Sequence, residues 1–231
     1  MGIPSYFSHI VREHRDTIKE LPRNFVTDNL YLDSNSIIYE CVHATPMKDT
    51  KGSGYEKQII KQVCLKICDH IEMIRPRNRL IVAFDGVAPV AKLNQQRERR
   101  YKSWIQTRIL DKKAQGWNTC AITPGTTFMT NLSKTVRSYF SRKDKYKGLR
   151  ISISPSDEEG EGEHKIYAAI RAEPDYHQKT TTVIYGLDAD LIMLTLNHMN
   201  IAPRLYLYRE TPHFIKSIDS TLEPNQSYII Y

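Results

Sequence analysis

Apolar residues gather in short, nearly continuous runs at Asn29–Leu32, Leu80–Phe84, Leu149–Ser154, Thr182–Leu187, Arg204–Tyr208 and Tyr228–Tyr231. Several are rich in β-branched and aromatic residues. A strand covered on both faces reads this way, because neither side meets water. Helical periodicity fills the gaps, over residues 34–44, 56–74, 90–114, 128–142, 162–173 and 188–199. The alternation predicts an α/β fold, a mostly parallel sheet flanked by helices on both faces. Residues 143–147 and 154–162 read as surface loops. No repeat, low-complexity tract or linker divides the 231 residues, so a single domain over 1–231 is expected.

Ligand crevices in such sheets lie beyond the carboxyl ends of the strands. Asp33, Asp85 and Asp188 each follow a predicted strand, which places them on one edge. Glu161 with Glu163, and Asp190 two residues after Asp188, add three more acids. Taken singly, Asp33 and Asp188 could be helix N-caps, and Glu163 and Asp190 could favour a helix N-terminus. Capping does not ask for a second acid at i+2. Six converging carboxylates repel unless protons or cations relieve them. Oxygen ligands without His or Cys partners suit Mg²⁺ or Mn²⁺ rather than zinc, and paired ions of that kind serve chemistry on phosphate. The chain contains no P-loop pattern and no apparent Ser-His-Asp or Cys-His arrangement.

Charge sharpens this reading. The chain carries a net charge of +7. Residues 92–113 set eight Lys and Arg against Glu98 and Asp111, and residues 131–150 set seven against Asp144. The remainder is net acidic. A basic surface beside an acidic centre suits a polyanion delivered to metals, although two solvated helix faces would look the same. Within the first segment Lys92, Gln96, Arg99 and Arg100 share one helical face. Ammonium, amide and forked guanidinium donors there would make a phosphate pocket. Trp104, one turn beyond Arg100, reads as a packing residue. Tyr39, on the helix after Asp33, is a candidate for stacking on a base.

Other features narrow the class. The cysteines Cys41, Cys64, Cys68 and Cys120 form no CxxC pair and read as small buried residues in a reducing compartment. No apolar run approaches the roughly 20 residues a membrane helix needs. The first residues carry no signal-peptide pattern. An intracellular chain, cytoplasmic or nuclear, is expected.

Several runs resemble the XRN-type 5′-to-3′ exoribonucleases. They are Met1-Gly2-Ile3-Pro4 with Tyr6-Phe7, the stretch Asn29–Ile38, Phe84–Arg97 with Arg99-Arg100, Ile122–Thr126 with Phe128-Met129, Glu161–Ile166, and Tyr185–Leu194. The resemblance implies a PIN/FEN-like nuclease core that hydrolyses 5′-monophosphorylated RNA to mononucleotides with Mg²⁺. It implies metal ligation by Asp33, Asp85, Glu161, Glu163, Asp188 and Asp190. It also implies a terminal-phosphate pocket of Lys92, Gln96, Arg99 and Arg100, with Asn35 near the metals. Tyr39 stands where the eukaryotic enzymes carry a stacking His, and Glu159-Gly160 where the family has Pro-Gly. The family's later segment, with a further metal-binding Asp, is not among these 231 residues, which leaves three alternatives: a fragment completed by a C-terminal region, a half completed by a protein partner, or a compact divergent form. Two alternatives share the same acids: a 5′ nuclease acting on DNA, and an RNA 5′-end-binding module of weak catalysis.

Overall fold

The computed structural model describes residues 5–22, 25–46, 53–109, 117–142 and 144–231. Seven strands form one sheet: β1 (Ile18–Lys19), β2 (Asn29–Asp33), β3 (Arg79–Ala83), β4 (Arg150–Ser154), β5 (Thr182–Tyr185), β6 (Leu205–Glu210) and β7 (Ser227–Ile230). Their order is β1-β7-β6-β5-β2-β3-β4. Strands β6, β5, β2, β3 and β4 run parallel, and β7 is antiparallel to both of its neighbours. The helices are α1 (Tyr6–Glu13), α2 (Asn35–Ala44), α3 (Ser53–Ile74), α4 (Val90–Ile109), α5 (Thr127–Ser141), α6 (Gly162–Ala172), α7 (Pro174–Lys179) and α8 (Asp190–His198).

The continuous apolar runs are explained by two cores, one on each face of the sheet. Successive side chains of a strand point to opposite faces. Leu30, Leu32, Leu80, Val82, Val183 and Tyr185 pack with α2, α3 and α5. Tyr31, Ala83, Ile184, Leu205 and Leu207 pack with α1, α6 and α8.

The expected elements are present, several with shifted ends, and residues 110–114 of the helix expected over 90–114 lie outside the described residues. The predicted strand at Thr182–Leu187 stops at Tyr185, and the helix expected from residue 188 begins at Asp190. Three elements and the direction of a fourth were not anticipated. Strand β1 has two residues, too short to show a period. Helix α7 follows α6 after a break at Glu173, with Pro174 opening its first turn. The antiparallel direction of β7 is not encoded in its own residues. Helix α1 did carry a signal, with Phe7, Ile10 and Val11 buried at helical spacing. Cys41, Cys64 and Cys68 are buried as expected, but Cys120 is exposed, because it lies in a surface 3-10 turn. No helix among the described residues is long and apolar enough to cross a membrane.

Candidate metal centre

The chain passes from β2 to β3 to β4 in one direction, then returns to place β5 on the other side of β2. The reversal opens a crevice at the carboxyl ends of β2 and β5, where ligands bind in sheets of this kind. Asp33 ends β2, opposite Ala83 of β3. Tyr185, the last residue of β5, lies opposite Leu32. Asp85 emerges two residues past β3, and Asp188 three past β5. All three therefore leave the sheet at the same edge.

Glu161 and Glu163 reach that edge because α6 starts against it. The backbone N–H of Gly162 donates to Asp85 Oδ1 at 2.7 Å. A Cβ on Gly162 would lie 2.5 Å from Asp33 Oδ1 and 3.4 Å from Asp85 Oδ1. Only a residue without a side chain lets the helix approach this closely. The preceding acidic loop is interlocked with the Asp85 loop in the same way. Gly86 N–H donates to Gly160 O at 2.8 Å, and Gly160 N–H to Val87 O at 3.0 Å. A Cβ on Gly86 would collide with the Glu158 carbonyl at 1.6 Å. Lys165, four residues beyond Glu161, donates to Phe84 O at 2.9 Å and to Pro155 O at 2.7 Å. It thereby ties the ends of β3 and β4 to α6.

None of the acids is spent on capping a helix. The N-cap of α2 is Ser34, that of α8 is Ala189, and Glu161 at the start of α6 makes no cap bond. The electrostatics show instead that the acids meet. Burial drives the Asp33 pKa well above the carboxylate range, with added repulsion from Asp85, Glu163, Asp188 and Glu161. Its Oδ1 is buried without a hydrogen-bond partner. Burial also raises Asp85, against the lowering effect of the Gly162 N–H. Glu163 is pushed up to about 7 by burial and by Glu161, Asp188 and Asp190, with Lys92 opposing. All six acids thus act within one field.

Their contacts are uneven. Among the described residues, ligand atoms of Glu161, Glu163 and His164 lie within 4.8 Å of one another. His164 Nδ1 is 3.6 Å from Glu161 Oε2 and 3.9 Å from Glu163 Oε1. A His beside the acids was not anticipated; its place at i+3 from Glu161 was the available signal. Asp85 is held by Asn35, whose amide donates to Oδ2 at 2.6 Å and accepts from the Asp85 N–H at 3.2 Å. Asp188 is exposed and Asp190 half-buried, so they form the solvent side of the group. Like charges in a crevice separate unless a cation draws them in. An orphaned carboxylate oxygen in the field of four other acids fits a hard divalent cation.

The cationic side of the site begins with Lys92, whose ammonium lies 2.6 Å from Glu161 Oε2. Burial lowers its pKa, but the bond to Glu161 outweighs this and leaves it raised. Gln96 follows one turn along α4, half-buried, and Arg100 another turn on, exposed. The side chains of Arg99 and Trp104 lie outside the described residues. Tyr39 is exposed on α2, one turn beyond Asn35.

A family model described as the XRN 5′-3′ exonuclease N-terminus matches residues 1–211. The chain belongs to this family. It is 34% identical over 252 residues to 5′-3′ exoribonuclease 1 of Saccharomyces cerevisiae, covering 100% of this chain and 16% of that protein. It is 38% identical over 203 residues to 5′-3′ exoribonuclease 2 of Schizosaccharomyces pombe, covering 76% of this chain and 20% of that protein. The chain thus spans only a minor part of the length of these relatives. Among solved structures, the catalytic core of Rad2 in complex with DNA superimposes with a TM-score of 0.51 at 14% identity. That match covers 99% of this chain and 53% of that one. It establishes a shared fold, in agreement with the α/β architecture expected from the sequence.

Proposed function

We propose that residues 1–231 form one nuclease unit that hydrolyses RNA from a 5′-monophosphate end, releasing mononucleotides, with Mg²⁺ or Mn²⁺ as cofactor. The observation that carries the reading is the Asp33 carboxylate. Asp33 is half-buried at the end of β2, and its Oδ1 is buried without a hydrogen-bond partner in the shared field of Asp85, Glu161, Glu163 and Asp188. A buried carboxylate oxygen without a partner is unfavourable until a proton, a water or a cation completes it, and the surrounding acids favour a cation.

Asp33, Asp85, Glu161, Glu163, Asp188 and Asp190 would hold the cations. When bound, these supply an activated water and neutralise charge on the scissile phosphate. The chain's own residues do the rest. Asn35 and the Gly162 N–H fix both oxygens of Asp85. Lys92 has three donors, so it can keep Glu161 and still take a phosphate oxygen. Gln96, Arg99 and Arg100, on the same helix, extend that grip along a terminal phosphate. A strand held by its end presents its first linkage to the carboxylates. This favours cleavage from the end over internal cleavage. The names of the relatives favour RNA over DNA.

The test compares 5′-monophosphate and 5′-hydroxyl RNAs and a matched 5′-monophosphate DNA, with Mg²⁺ or with EDTA. Mononucleotides from the phosphorylated RNA alone, and only with metal, are expected. Internal fragments, or equal cleavage of the hydroxyl RNA, would refute the proposal. Intact RNA retained in a stable complex would favour the binding-module alternative.

A further inference from the structure

We infer that Arg209, buried near the end of β6, is a positioning residue for Asp188. The segment between Tyr185 and Asp190 has no regular secondary structure, and Asp188 is exposed on it. The packing of its own side chain therefore does not fix Asp188. Beneath the segment lies the guanidinium of Arg209, 7% exposed. Its Nη2 donates to the carbonyl oxygen of Leu187 at 2.8 Å, and that carbonyl belongs to the peptide leading into Asp188. Its Cζ sits 3.9 Å from the centre of the Phe7 ring in α1. Nε and Nη1 have no hydrogen-bond partner.

A buried cation with one neutral acceptor is unfavourable unless a nearby negative charge offsets the desolvation. Burial pulls the Arg209 pKa down to about 10, and the charge of Asp188 opposes that fall. The arrangement therefore does two things. It pins the backbone one residue before Asp188. It also sets a positive charge behind an acid that Asp33 and Glu163 would otherwise repel. The Phe7 ring packs against the guanidinium. In this way α1, remote in sequence, contributes to the geometry of the acids.

The inference rests on the proposed role of Asp188 in holding a cation, and the experiment separates the two. Wild-type full chain, Arg209→Met, Arg209→Lys, Phe7→Leu and Asp188→Ala are compared for Mn²⁺ binding by titration calorimetry. Their kcat and KM are measured on 5′-monophosphate RNA. Circular dichroism monitors folding. Arg209→Met is expected to weaken Mn²⁺ binding about 10- to 100-fold, as loss of a residue that orients a metal ligand does. It should lower kcat while leaving KM for RNA unchanged, because the α4 cations are intact. Arg209→Lys should recover part of both, since an ammonium can still serve Leu187 O. Phe7→Leu should shift both in the same direction by less, and it carries the test if Arg209→Met does not fold. Wild-type Mn²⁺ affinity and kcat in folded Arg209→Met, or in Phe7→Leu should Arg209→Met fail to fold, overturn the inference if Asp188→Ala has lost both. Should Asp188→Ala keep both, the site reading falls and takes this inference with it.

Discussion

Replacing Gly162 with Ala tests whether the approach of α6 to the sheet sets the acid geometry. The added Cβ would lie 2.5 Å from Asp33 Oδ1, 3.2 Å from Ala83 O and 3.4 Å from Asp85 Oδ1. Relief of the first contact needs a shift of roughly 1 Å, given optimal non-bonded separations of about 3.5 Å. Ala83 O belongs to β3, within the sheet, and Asp33 ends the central strand β2. The helix start must therefore yield, and it carries Glu161, Glu163 and the N–H that holds Asp85. Overpacking of this kind destabilises by about 1–3 kcal/mol, or some 2–10 °C in Tm at this chain length. A displacement of about 1 Å at reacting groups lowers rates on the order of 100-fold. Single-turnover cleavage of 5′-monophosphate RNA at saturating Mg²⁺, paired with thermal unfolding, reads both effects. Wild-type cleavage by the Ala variant would show that Glu161 and Glu163 do not depend on this contact, and would refute the reasoning.

Three further outcomes follow from the same geometry. Glu163 has a folded pKa near 7 against an ordinary value of 4.5, so its stabilising contribution is present below about pH 4.5 and is lost as pH rises through 7. In EDTA, wild type should lose on the order of 3 kcal/mol relative to Glu163→Gln across that window, checked by denaturant melts at several pH values; a pH-independent difference would refute the burial argument. Lys165→Met leaves the carbonyls of Phe84 and Pro155 without their donor and should destabilise by about 1–3 kcal/mol, measured by urea unfolding; an unchanged midpoint would show that the two strand ends are held by other means. Asp190→Ala should abolish cleavage without lowering Tm in EDTA, since it removes a repelling charge from a half-buried position; retained cleavage would exclude Asp190 as a required ligand.

Much of the architecture was legible because burial leaves a periodic trace. Leu30-Tyr31-Leu32 and Val183-Ile184-Tyr185 read as strands covered on both sides, and each alternates between the two cores. The acids were legible because Asp33, Asp85 and Asp188 each stop an apolar run. Ends were less legible. Gly186 and Leu187 continue the apolar pattern of β5, yet the strand ends at Tyr185 and only a single bond from Gly186 N–H to Tyr208 O, 3.3 Å, follows it, because the chain there turns toward α8. The side chains that organise the site were largely invisible. Lys165 reads as one more surface lysine on an amphipathic helix, and its acceptors are backbone carbonyls, which carry no residue identity. Arg209 sits in a strand whose alternation asks for an apolar residue.

The sequence by itself determined most of the strands and helices, that the sheet is mostly parallel, and which acids follow its strands. Those properties follow from local periodicity and from the handedness of chain connections. Only the tertiary structure decided which groups meet. Glu161 and Lys92 are 69 residues apart in the chain, and Arg209 and Phe7 face each other across nearly its whole length. The order of strands brings β2 and β5 together, and the missing Cβ of Gly162 lets α6 close on them. Close approach depends on packing between elements distant in the chain, which no local pattern records.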